Sequence, residues 1–216
     1  MSLNDSLLDE NVKPSMTSIK EFTYPMEFEF KISSLANDFT ARDANKQTVA
    51  YVRQKMFKFK EAISVYADES KQDVLYKINA DRVIDFNANY AFSSDGGDVF
   101  GRVGRRGARS ILKAHYEVFD LEGEIEFLIQ EENPWTKFFD FLLSEVPILN
   151  FFTGYFFNPK YTVKRQDGTL VARLSKEASF WGRRFKLDKI SDTEKGEDER
   201  MLLALMMMSL LERRRG

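Results

Sequence analysis

Met201–Gly216 reads MLLALMMMSLLERRRG. Met, Leu and Ala favour helix, and the run to Leu211 contains no β-branched residue to oppose it. The preceding GEDER puts Asp198 and Glu199 in the first turn, and Arg213, Arg214 and Arg215 follow the last, so both ends complement the helix dipole. This predicts a helix over 198–212. Met and Leu on every side leave it no polar face, so it must be enclosed all round or lie in a membrane. At ~1.5 Å per residue the apolar part is about 16 Å long, little over half of a ~30 Å hydrocarbon core, which favours enclosure by protein.

The enclosing wall is legible upstream. MEFEFKI alternates Met26, Phe28, Phe30 and Ile32 with Glu27, Glu29 and Lys31, the period of a half-buried strand. Five further segments repeat one layout of strand, polar turn and strand. They are FTARDANKQTVAYV from Phe39, ISVYADESKQDVLYKI from Ile63, YAFSSDGGDVFGRV from Tyr90, YEVFDLEGEIEFLI from Tyr116 and YTVKRQDGTLVARL from Tyr161. Glu122-Gly123 and Asp167-Gly168 place glycine where a tight hairpin needs positive φ. With FKLDKI from Phe185, the count reaches about 12 strands. A closed antiparallel sheet of that size has a lumen wide enough for a central helix. The expected fold is mainly β, a closed barrel around the C-terminal helix with a short helical insert between strands.

At 216 residues the chain is long enough for one such domain. It divides into a polar leader over 1–20 and a barrel over 21–216, with the insert at 134–157. The leader has neither the basic nor the apolar region of a signal peptide, which implies a cytoplasmic protein, peripheral to any membrane it meets. No transmembrane segment is expected, because Lys137, Asp140, Glu145 and Pro147 interrupt the most apolar window. A net charge of −2 excludes a protein that coats nucleic acid by bulk charge, so no nucleic-acid partner is expected. Cys 0 and His 1 exclude disulfides, a thiolate nucleophile and a multi-histidine metal site. No cofactor and no metal are implied.

The pattern resembles the tubby C-terminal superfamily, in particular its LURP-one-related and phospholipid-scramblase-like branch. The likeness lies in an aromatic-x-Val-x-Asp strand followed by a glycine turn, seen as Tyr116-Glu-Val118-Phe-Asp120 with Gly123. It recurs at Tyr161-Thr-Val163 with Asp167-Gly168, and DERMLLALMMMSLL supplies the acidic turn leading into an apolar helix. The order of these motifs over about 22–215 carries the resemblance, each one alone being degenerate. It implies a barrel around a central helix and a role in binding phosphoinositide or acting at membranes. No binding residue of the family maps onto a numbered position here. A scramblase would also bring a cysteine-rich stretch and a spanning terminus, and with Cys 0 and so short a helix lipid scrambling is the least expected activity.

Two segments are candidate sites. GRVGRRGARSILK gathers Arg102, Arg105, Arg106, Arg109 and Lys113 with no acidic residue between them, and guanidinium groups on a glycine-rich backbone suit a phosphate. The plain reading, a solvated basic loop, ranks ahead, because charge runs usually are solvated faces. Over 134–157, Trp135, Phe138, Phe139, Leu142 and Leu143 fall at helical spacing, and Phe151 and Phe152 follow Pro147. This insert either caps one end of the barrel or meets a head-group layer or a partner protein, and capping ranks first. His115 shares a strand face with Lys113 and Glu117 and has no nucleophile beside it. Asp95-Gly96-Gly97-Asp98 reads as a hairpin turn, not a calcium loop. With no P-loop, GxGxxG or GxSxG, no enzyme is expected. The expected role is binding of anionic phospholipid or another phosphorylated ligand, with a protein-interaction scaffold as the alternative.

Overall fold

The computed structural model describes residues 19, 21–31, 37–54, 62–82, 89–105, 115–132, 159–177 and 184–213. Twelve strands form one closed antiparallel barrel. They are β1 (Met26–Phe30), β2 (Asn37–Arg42), β3 (Thr48–Gln54), β4 (Ala62–Tyr66), β5 (Val74–Arg82) and β6 (Asn89–Ser94), then β7 (Val99–Arg105), β8 (His115–Phe119), β9 (Ile125–Glu131), β10 (Lys160–Lys164), β11 (Leu170–Glu177) and β12 (Arg184–Lys189). Each strand pairs with its sequence neighbours, and β1 closes the ring on β12 through Met26↔Leu187 and Phe28↔Phe185. A closed ring has no edge strand to protect.

All five hairpins expected from the alternation and the turns form, and they share one geometry. In each, the register shifts just before the turn, after Ala41, Val65, Phe92, Val118 and Val163 respectively. The turn then contains one residue in the left-handed region: Lys46 (φ 62°), Lys71 (61°), Gly97 (93°), Gly123 (87°) and Gly168 (90°). Such a loop, a tight turn followed by a left-handed residue and a bulge, increases the twist that a closed barrel needs. The repeat visible in the sequence is therefore a repeat of backbone geometry, and in two of the five copies lysine occupies the position that usually favours glycine.

The lumen is filled by α1 (Lys195–Arg213). Every residue from Met201 to Leu210 is buried, Ser209 included, on all sides of the helix. A helix on the outside of a single closed sheet would leave one face in water, so α1 is enclosed. Around it stand the inward residues of the strands, among them Phe28, Phe39, Val52, Val65, Phe92, Val118, Phe127, Ile129 and Leu187. The helix starts a turn earlier than the acidic cluster suggested. Glu194 is its N-cap, and Glu197 Oε2 accepts the Glu194 N–H at 3.0 Å, the back-bond of a capping box. Ser209 returns its hydroxyl to the Leu205 carbonyl at 2.8 Å, so the one polar residue in the apolar run is satisfied within the helix.

Alternating strand directions sort the connections into two sets. The hairpin turns 43–47, 67–73, 95–98, 120–124 and 165–169, with the entry to α1, lie at one end of the barrel. Residues 31–36, 55–61, 83–88, 106–114, 132–159 and 178–183 join the strands at the other. With 19 residues at ~1.5 Å each, α1 runs about 28 Å from the turn end toward that second end. At the N-terminal margin Ile19 is buried, and its N–H donates to Tyr76 Oη at 3.0 Å.

Candidate functional site

The two ends of the barrel differ in how their charges are used. At the turn end the first turn of α1 is bolted to the wall. Arg165 meets Glu197 with two parallel bonds of 2.6 and 2.8 Å. Arg200 grips Glu126 in the same way, with Nε to Oε2 at 2.7 Å and Nη2 on Oε1. Asp198 accepts from Tyr24 Oη at 3.2 Å, from Lys189 Nζ at 3.0 Å and from the Thr193 hydroxyl. Hydrogen bonding from Arg165 holds the Glu197 carboxyl below its usual range. Burial, and then Asp198, push the Tyr24 phenol well above its ordinary value. These charges are occupied in holding the plug.

At the opposite end the inner wall turns polar. Gln54, Arg105, Glu131 and Lys176 follow inward apolar residues in phase on β3, β7, β9 and β11, after Val52, Val103, Ile129 and Leu174. Glu131 is 1% exposed. Gln54 is fully buried and its Oε1 accepts from Asn37 Nδ2 at 3.2 Å, while its Nε2 has no hydrogen-bond partner among the described residues. The Arg105 guanidinium lies 5.9 Å from the centre of the Tyr116 ring. The lumen thus changes from an apolar sleeve to a polar mouth where the helix approaches the second set of connections.

Of the five basic residues picked out in the sequence, Arg102 and Arg105 are among the described residues. Three positions apart on one strand, they take opposite faces, Arg105 toward the lumen and Arg102 outward, opposite Phe119. Arg102 is exposed and makes no ion pair among the described residues. Arg106, Arg109 and Lys113 lie outside the described residues, as do Trp135, Phe138, Phe139, Phe151 and Phe152. The segments that contain them leave from the same end of β7–β8 and β9–β10, two neighbouring hairpins of the ring.

His115 stands on the outer face beside Glu117, as the alternation implied. Its Nδ1 is 3.3 Å from Gln130 Nε2, and its Nε2 is 3.9 Å from Glu117 Oε1. These contacts join an imidazole, an amide and a carboxylate in a polar cluster on the outer face. Asp95–Asp98 is a turn: Ser94 N–H bonds the Asp98 carbonyl at 3.0 Å, and Asp95 pairs with Lys77 at 2.9 Å. Among the described residues no group of three or more acidic or histidine side chains could hold a metal ion. No described helix is long and apolar enough to cross a membrane.

Sequence reasoning missed one cluster altogether. Tyr51 points outward from β3, since Ala50 and Val52 point in, yet it is 2% exposed. The turn 67–73 folds back over it. Glu69 accepts from Thr40 Oγ1 at 3.0 Å and from Lys31 at 2.7 Å, and the Lys31 and Lys71 ammonium groups lie 5.1 and 5.6 Å from the Tyr51 ring centre. The Tyr51 phenol donates to Asp38, and burial raises its pKa. A period-2 reading assigns such a residue to solvent, and only the two extra residues in ADESKQD signalled a longer turn able to reach back. Its carboxylates, ammonium groups and phenol engage one another.

A model of the LURP-one-related family matches residues 48–209. No curated protein and no solved structure gives a significant match.

Proposed function

The chain belongs to the LURP-one-related family, within the tubby-like superfamily, and on that premise we propose that it is a non-enzymatic barrel module that binds anionic phospholipid head groups at the end opposite its hairpin turns. One observation carries the reading. The arginine-rich connection 106–114 and the aromatic connection 132–159 depart from one end of adjacent hairpins, while Arg165, Lys189 and Arg200 at the other end are paired with Glu197, Asp198 and Glu126. A basic segment beside an aromatic one suits a head-group layer, where cations meet lipid phosphate and aromatic rings settle at the interface. Arg102, Arg105, Arg106, Arg109 and Lys113 supply the charge in this reading, and Trp135, Phe138, Phe139, Phe151 and Phe152 the apolar contact.

The test is co-sedimentation with phosphatidylcholine vesicles containing graded phosphatidylserine, for the wild type and for Arg102→Glu/Arg106→Glu/Arg109→Glu. Each cation near an anionic surface is worth about 1 kcal/mol, so the triple change should weaken binding by about two orders of magnitude, and raising salt should weaken the wild type steeply. Indifference of the wild type to phosphatidylserine at low salt removes the lipid reading. Salt-insensitive capture of a protein through residues 134–157 would put a scaffold in its place.

A further inference from the structure

The barrel carries its charge unevenly along its axis. At the turn end, DGGD (95–98), DLEGE (120–124) and ISDTE (190–194) hold seven acidic residues and no Lys or Arg. Asp98, Glu122, Glu124, Asp192 and Glu194 are exposed and have no ion pair among the described residues. At the opposite end that excess is absent: the described strand ends there bear Lys31, Arg53, Arg105, Lys160, Lys176 and Arg184 beside Glu29, Asp38, Glu131, Glu132 and Glu177. The side of the barrel between β11, β12 and β1 is self-neutralised, because Glu29 pairs with Arg184 and Lys186 with Asp188.

We propose that this polarity orients the protein on an anionic bilayer, with the barrel axis upright, the C-terminal end of α1 toward the lipid and the acidic turns facing away. The inference rests on the lipid-binding reading above and adds the pose. Strands of five to nine residues at ~3.3 Å each make a tilted barrel on the order of 20 Å tall. The surface potential decays over about 8 Å at physiological salt, so the two ends do not feel it together. An encounter that leads with the turn end is repelled, one that leads with the opposite end is not, and a sideways approach over β11, β12 and β1 presents balanced charge. The pose follows from the position of the acidic residues as much as from the basic ones.

Because the chain has Cys 0, one introduced cysteine gives one label. Fluorophores at Leu121→Cys and Ile190→Cys, which are 63% and 48% exposed at the turn end, are compared with one at the exposed Lys160→Cys at the other end. The vesicles contain phosphatidylserine and a head-group nitroxide lipid, and quenching is read at saturating lipid. Quenching at 160 should exceed that at 121 and 190 several-fold. Adding Glu122→Lys/Glu124→Lys to the Leu121→Cys protein should raise binding and erase most of the difference. Equal quenching at the two ends, or stronger quenching at 121 and 190, in a protein that still co-sediments overturns the pose and leaves lipid binding standing. A protein that does not co-sediment overturns both.

Discussion

The turn end and the opposite end of the barrel are built on different principles. At the turn end five hairpins repeat one bulged geometry, and two arginine–carboxylate forks clamp α1 to the wall. At the other end three connections have six residues and a fourth seven, but 106–114 has nine and 132–159 has 28. Uniform, fully bonded turns specify a fold, whereas variable connections on a rigid scaffold are where binding residues accumulate. The contrast separates what holds this barrel together from what it offers to a ligand, and each part can be broken independently.

The largest effect should come from removing the plug. Deleting residues 197–216 takes from the lumen nine Met and Leu residues. Since truncating one buried Leu or Met costs about 2–5 kcal/mol, the loss exceeds the ~5–15 kcal/mol that stabilises a typical domain. Expression should yield insoluble or molten protein without a cooperative unfolding transition. A soluble truncation that unfolds cooperatively would show that the wall stands without α1 and would dissolve the contrast between the ends.

A smaller effect isolates the clamp. The Arg200 and Glu126 side chains are 15% and 9% exposed, and the arginine stem lies so close to β7 that a Cβ on Gly101 would sit 2.5 Å from its Cδ. Arg200→Met alone strands a nearly buried carboxylate and should cost about 3 kcal/mol, whereas Arg200→Met/Glu126→Leu should recover most of it. Arg102→Gln, on an exposed cation without an ion pair among the described residues, should stay within about 0.5 kcal/mol of wild type. Urea unfolding midpoints of the three variants decide it. Equal costs for Arg200→Met and Arg102→Gln would mean that the turn-end ion pairs do not hold the helix.

Much of the scaffold was legible because the signals were local. Alternation around Met26–Phe30, glycine in the turns at Gly123 and Gly168, and a polar-free run in Met201–Leu211 each follow from one stretch of chain. Enclosure of the helix was legible too, since no other soluble arrangement buries such a run on every side. Contacts between distant segments were not. Nothing near Arg165 signals Glu197, 32 residues away, or near Arg200 signals Glu126. The opposite faces of Arg102 and Arg105 could have been inferred from the odd spacing, but their treatment as a single basic run obscured it. The outward, covered Tyr51 had only an indirect signal, the longer turn of the neighbouring hairpin on which its burial depends.

The smallest effect tests the same end by pH. Hydrogen bonding from Arg165 depresses the folded-state pKa of Glu197, while an unfolded glutamate titrates near ~4.3. A depressed carboxylate contributes its full stabilisation above the unfolded pKa, where it is charged in both states, and loses it as pH falls toward the folded pKa. The gap between wild type and Arg165→Gln should therefore be constant from pH 7 to about 5 and close below about pH 4. The two side chains are 32% and 16% exposed, so solvent screening keeps the gap under about 1 kcal/mol. Urea midpoints at successive pH values measure it. A gap unchanged at the acid limit would mean that Arg165 acts through packing on the Phe127 ring, whose centre is 5.4 Å away, and the turn-end clamp would then rest on Arg200 and Asp198.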